Sequence, residues 1–225
     1  MHKLIRICLL IVATWVAMAC GNQEESQYLP IFDDSAGVAR GDNDKEEPEE
    51  DTEEPEEGIQ QLSELIKNGG NEMDLIAGEI PYWNEDEGEN WTQRSSNPAP
   101  FEMDHYFYAG DGAYAILSQT IDVSDIAEEI DNGDKEFQFY AYLRVYNQTN
   151  PDSSKVIVQY KNDMGDILDS FESFESTAVD KWERVEDIRH AVPDTRSIKI
   201  MLIANRNNGN NNDGYFDMVS LKTLK

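Results

Sequence analysis

Between Phe137 and Tyr146 the sequence alternates without a break. Phe137, Phe139, Ala141, Leu143 and Val145 fall on one side, and Gln138, Tyr140, Tyr142, Arg144 and Tyr146 on the other. Successive side chains of a strand point to opposite faces, so the second set is a ladder of phenol rings carrying an amide and a guanidinium. That combination suits a saccharide. Aromatic rings cover the apolar CH faces of a sugar, and Gln or Arg bonds its hydroxyls. Tyr140, Tyr142 and Arg144 are the centre of this candidate surface. The same pattern also describes a solvated sheet face held by cross-strand Tyr/Arg pairs. A second polar set lies in the run Asn205 to Asp213, which has no apolar side chain. Arg206 and Asp213 are its ligand candidates, unless the run is an asparagine-rich connector. Trp83 and Trp91, in a Pro/Asn/Glu-rich stretch, are either stacking platforms or plugs at the edge of a core.

Catalytic chemistry finds little to build on. Beyond the first twenty residues the only histidines are His105 and His190, and no G-x-S-x-G elbow is present. No His or Cys pair has zinc-site spacing, and no glycine-rich phosphate loop follows a strand. Residues 59–225 hold 31 acidic side chains. A glycosidase pair of carboxylates is therefore always imaginable, and abundance alone says nothing. The expectation is a domain that is not an enzyme.

These residues must be carried by strands. Beside Phe137–Tyr146, alternating or apolar runs cover 113–123, 155–161, 166–171, 181–188, 197–205 and 215–224, separated by Gly/Asn/Asp clusters. Asp163-Met164-Gly165 reads as a hairpin turn. Asp125 to Ile130 reads as one helical turn, with Asp125 as its cap and Glu128 three residues on. Many short strands with almost no helix predict an all-β fold, a jelly-roll β-sandwich over residues 59–225 with one core.

The order of several short motifs adds to this. Asn68-Gly69-Gly70-Asn71-Glu72 comes first, then Tyr106-Phe107-Tyr108-Ala109-Gly110, then Gln119-Thr120-Ile121-Asp122-Val123, and the chain closes with Gly214-Tyr215-Phe216-Asp217-Met218-Val219-Ser220-Leu221. In this order they resemble the galactose-binding-domain-like jelly roll, which includes many carbohydrate-binding modules, over about residues 62–225. The resemblance implies that the first and last strands are neighbours with a structural calcium between them. Its ligands here would be Glu72 and Asp217, with Asn68 as a third. Calcium takes six to eight oxygens, and an unpaired carboxylate such as Asp217 between Phe216 and Met218 is costly if buried. Otherwise Asp217 alternates outward into solvent. The resemblance also implies glycan binding on a concave sheet face or at the loops.

The 225-residue chain carries a formal charge of −28, which argues against a nucleic-acid partner, because phosphate binding needs clustered Lys/Arg. Its start is different. Met1 to Arg6 is short and basic, Ile7 to Val16 almost wholly apolar, and Ala17-Met18-Ala19-Cys20 closes the run. That is the order of a secretory signal, too short to span a bilayer. Its end resembles a bacterial lipobox, with Cys20 lipidated after removal of residues 1–19. Cys8 and Cys20 are the only cysteines, so cleavage would leave one thiol, at the new N-terminus, with no disulfide partner. Several acyl chains there would anchor the chain stably. The alternative is an ordinary signal cut after Ala19. The Glu24-Glu25 pair behind Cys20 resembles the surface-export signal of Bacteroidetes-type lipoproteins, or is the start of an acidic linker. Asp34-Ser35-Ala36 resembles an O-glycosylation site of the same group. Residues 42–58 are Glu/Asp/Pro-rich without aliphatic or aromatic side chains. They cannot bury apolar surface and predict a disordered, charge-extended spacer within 20–58, or a calcium-buffering tail. The expected protein is an outer-membrane lipoprotein. It recognises a glycan or other polar ligand at the cell surface, or else is a structural or adhesive lipoprotein that docks onto another envelope protein.

Overall fold

The computed structural model describes residues 63–224. The expectations for the signal sequence, Cys20 and the acidic spacer lie outside these residues. Ten strands form: β1 (Asn84–Glu87), β2 (Thr92–Arg94), β3 (Tyr106–Tyr108), β4 (Tyr114–Asp122), β5 (Glu136–Val145), β6 (Ser153–Lys161), β7 (Ile167–Glu172), β8 (Glu183–His190), β9 (Ser197–Asn205) and β10 (Gly214–Thr223). They make two five-stranded antiparallel sheets, in the orders β1-β4-β9-β6-β7 and β2-β3-β10-β5-β8. The expected jelly-roll β-sandwich is therefore the fold. No helix among the described residues is long and apolar enough to cross a membrane.

Period-two patterning decides which sheet face each strand buries. In β5 burial alternates along the whole strand, and Phe137, Phe139, Ala141, Leu143 and Val145 are the buried set. Phe137, Phe139, Ala141 and Leu143 meet Val156, Val158, Ile198, Ile200 and Leu202 of the facing sheet in one apolar core, which Trp83 and Trp91 join. Those two tryptophans are thus core plugs. Trp83 packs edge-on against Phe107 at 5.0 Å between ring centroids.

The hairpin between β6 and β7 turns at Gly165, whose φ of 86° only glycine adopts freely. The short helix α1 (Ala127–Asp131) follows a 3-10 turn at Ser124–Ile126. Asp125 does not cap it; the side chain of Asp122 instead accepts the backbone N–H of Ser124 at 2.9 Å. Neither the 3-10 turn nor α1 carries a side-chain cap; the Asp122 contact closes the end of β4 instead.

The chain's opening segment lies along its closing strand. Leu65 N–H donates to Leu221 O at 2.8 Å and Val219 N–H to Gly69 O at 2.9 Å. The β5–β10 register breaks between Asp217 and Ser220, with Met218 at φ 47°. This bulge turns Val219 toward Gly69. A Cβ on Gly69 would stand 2.0 Å from Val219 O, so only glycine permits the approach.

Candidate functional site

The outward residues of β5 are in register with those of β10 and β8. Tyr142 pairs with Asp217 and Arg184, Arg144 with Tyr215, and Tyr140 with Ser220 and Glu186. On the other side of β10, Tyr215 pairs with Tyr108, and Tyr106 pairs with Arg94 of β2. The outer face of this sheet is therefore rich in tyrosine. It is neither bare nor simply solvated. Residues 95–105, between β2 and β3, fold back across it. Phe101 stacks on Tyr142 with ring centroids 3.5 Å apart and planes within 17°. Trp182, just before β8, packs edge-on against Tyr106 and donates its indole N–H to Ala99 O. Tyr106, Tyr108 and Tyr215 make a second buried cluster beneath this cover. Burial pushes the Tyr106 hydroxyl up to about 12 and raises Tyr108 and Tyr215 as well.

The ladder residues are consequently engaged. Tyr140 lies under the Arg184 guanidinium at 5.0 Å. Arg144 donates from Nη2 to Val179 O at 2.8 Å, while its buried Nε has no partner. Arg206 donates to Asp111 O and Asn210 O, which pins its loop.

Open space begins beside the cover. A cleft of about 810 Å³ is bounded by Thr92, Gln93 and Arg94 of β2, by Ser95 to Asn97, and by Leu75, His105, Tyr146, Asn211 and Asp213. Of the residues singled out from sequence as ligand-binding, Asp213 lines it and Tyr140, Tyr142, Arg144 and Arg206 do not. Arg94 is its centre. Its guanidinium lies 3.6 Å from the centroid of the Tyr108 ring, and Nη1 is 3.7 Å from Asp213 Oδ1. The same Oδ1 accepts the Tyr215 hydroxyl at 3.0 Å. Burial raises the Asp213 carboxyl above its ordinary range, against the lowering effects of that hydrogen bond and of Arg94. Tyr146, 47% exposed, stands at the cleft with its ring in solvent. Sequence reading missed Arg94, since a lone arginine in a polar stretch carries no periodic signal. It also missed His105, whose Nδ1 sits 3.1 Å from Glu72 Oε2.

Glu72 and Asp217 do come together, on either side of Gly70. A Cβ on Gly70 would lie 3.7 Å from Glu72 Oε1 and 3.8 Å from Asp217 Oδ1. Asp217 does alternate outward, but the cover over the sheet leaves it 0% exposed. Its Oδ2 accepts the N–H groups of Phe101 and Glu102, and Oδ1 that of Met218. Burial pushes its carboxyl up to about 7, the three backbone N–H groups oppose that, and Glu72 adds to it. Glu72 Oε1 accepts from Asp104 and His105 N–H. Asn68 is turned elsewhere: its Oδ1 accepts from Met73 N–H and its Nδ2 donates to Pro81 O. Among the described residues no three His, Cys, Asp or Glu side chains converge on a metal position.

No protein-family model matches this sequence, and no curated protein matches it. Solved structures do. The chain is similar to the enzymatically active domain of bacteriophage CBA120 tailspike protein 4, with a TM-score of 0.52 and 14% identity over 72% of this chain and 21% of that one. It thus spans about a fifth of that protein's length. Weaker similarities include the CBM22-1 xylan-binding domain of Paenibacillus barcinonensis Xyn10C, with a TM-score of 0.47 and 11% identity over 73% of this chain and 96% of that one. Another is TmCBM61 in complex with β-1,4-galactotriose, at 0.44 and 21% over 71% and 97%. At these identities the likeness is one of fold.

Proposed function

We propose that the jelly roll is a non-catalytic module that binds a saccharide in the cleft between β2 and the 205–213 loop. The observation that carries this is the stacked and ion-paired Arg94. Its planar head is held against Tyr108 and beside Asp213, amid the amide and hydroxyl side chains of Gln93, Ser95, Ser96, Asn97 and Asn211, with Tyr146 as an exposed ring. A guanidinium held in place, neighbouring amide and hydroxyl groups and one exposed aromatic ring are what a polar, ring-shaped ligand needs. A glycan array probed with residues 59–225, wild type and Arg94→Ala, tests it. Saccharide signals lost in the variant support the reading, and a blank array for wild type overturns it.

The same reading includes a structural calcium ion. What supports it is a pair of carboxylates at Glu72 and Asp217 in which the charge acting on buried Asp217 is another acid. A cation that accepts carboxylate and main-chain oxygens would relieve this. It would tie the opening segment to β10 and play no part in ligand chemistry. Asn68 does not belong to that donor set through its side chain, which is already engaged. The reading also places the module in the cell envelope, on the outer membrane and facing outward, held by lipid on Cys20 with the acidic residues 42–58 as spacer.

A second reading is a domain that docks onto another envelope protein. It is favoured by the side chains of Met164, Ile167, Leu168 and Ile188, exposed on or beside β7 and β8, the last strands of their sheets. Pull-down of a protein partner together with a blank glycan array would favour it.

A further inference from the structure

A second groove, of about 530 Å³, shares no residue with the cleft. Glu64, Leu65, Lys67, Tyr82 and the far half of β4, Gln119 to Asp122, line it. Tyr82 distinguishes it. The residue is 55% exposed, and its backbone is left-handed at φ 71°. A bulky side chain is a true outlier there, and such strain persists where surrounding structure imposes it, often at functional positions. The surroundings do impose it here. Trp83 N–H donates to Ile80 O and Trp83 Nε1 to Asn68 O, while Asn68 Nδ2 donates to Pro81 O. Both neighbours of Tyr82 are tied down, while Tyr82 itself is more than half exposed, with Lys67 Nζ over its ring. Tyr82 thus bears a conformational cost without filling the core.

The rest of the groove sets a few polar groups among apolar side chains such as Leu65 and Ile121. Buried Gln119 accepts from Lys67 N–H and donates to Lys67 O, both at 2.9 Å. This positions the lysine, whose Nζ stands 5.2 Å from the Tyr82 ring centroid. Glu64 has its oxygens engaged by Ile66 N–H, Leu221 N–H and Ser220 Oγ. Asp122 uses Oδ1 for Ser124 N–H, and the exposed Thr120, two residues before it on β4, also lines the groove.

We propose that this groove is a second carbohydrate site, taking a neutral pyranose. The apolar face of the sugar would lie on Tyr82, and its hydroxyls would bond to Lys67 Nζ, Thr120 Oγ1 and Asp122 Oδ2. The sugar is neutral because two carboxylates flank the single ammonium, so an anionic ring would gain nothing. The site rests on its own residues and does not depend on the cleft.

The test is residue-resolved NMR on the full chain, titrated with hexasaccharides of β-1,4-linked glucose, mannose and xylose at millimolar concentration. The amides of Lys67, Tyr82 and Thr120 should shift together with at least one of the three. Tyr82→Ala should weaken that response several-fold, as expected for a lost aromatic contact, while Tyr82→Phe retains it. Tyr82→Gly relieves the left-handed backbone. It should hold or raise the melting temperature while abolishing groove binding, which a packing role for Tyr82 would not allow. Silent groove amides with all three sugars would overturn the proposal. So would undiminished binding by Tyr82→Ala, or a lower melting temperature for Tyr82→Gly. Because the cleft reports through Arg94 and Asp213 amides, its failure is read separately.

Discussion

Arg94 and Asp213 meet at the edge of the cleft. The guanidinium presents one face to Tyr108 and an edge to Asp213, and Tyr215 holds Asp213 in turn. Hydrogen bonds from a charged group contribute about 1.5–3 kcal/mol. Arg94→Met should therefore weaken saccharide binding about tenfold or more with little change in the melting temperature, measured by calorimetry. Asp213 also sets a pH dependence. Burial raises its carboxyl, so the folded state holds the proton more tightly than the unfolded chain does. Such a group contributes stability in full below the unfolded value of about 3.9 and loses it as the pH climbs through the folded value. Asp213→Asn keeps an acceptor for Tyr215 and has no proton to lose. In urea melts the stability of Asp213→Asn relative to wild type should grow between about pH 3 and about pH 7. A difference that stays flat would show that the buried carboxyl is not raised.

At the scale of elements, the close passage of residues 64–71 along β10 is the feature most exposed to a single change. Gly69→Ala would drive a Cβ into the Val219 carbonyl and should cost about 2 kcal/mol or more, seen as a lower urea midpoint. Gly78→Ala meets nothing within 4 Å. It carries only the left-handed penalty of its φ of 92°, about 1 kcal/mol. The strands that sequence reading locates best are those with one fully buried face. The run 197–205 coincides with β9, and Phe137–Tyr146 differs from β5 by one residue at each end. Their apolar period of two is imposed by the core and so is visible in the residues. β1 is invisible for the opposite reason: Asn84–Glu87 is wholly exposed and is a strand only because β4 pairs with it. β2 has three half-buried residues and no period. The site suffers most from this. Its centre lies on β2 and on residues 95–105, whose course over the tyrosines is set by tertiary contacts to Asp217 and Trp182. Local composition does not encode that path, and the ladder could not reveal that Phe101 already lies on Tyr142.

Over the whole molecule, a charge of −28 works against compactness through self-repulsion. Any salt should relieve this by screening, so a rise in melting temperature on adding calcium proves nothing by itself. The informative comparison is calcium chloride against sodium chloride at equal ionic strength. A cation bound between Glu72 and Asp217 stabilises the folded chain by mass action, beyond what screening supplies. Wild type should therefore melt a few degrees higher in calcium than in matched sodium. Asp217→Asn should lose that excess while keeping the common salt effect. The excess should survive Arg94→Met, because the proposed ion would join the opening segment to β10, whereas the arginine lines the cleft. Equal melting in the two salts for wild type would remove calcium from this fold, and the raised Asp217 carboxyl would then meet the neighbouring negative charge by keeping its proton.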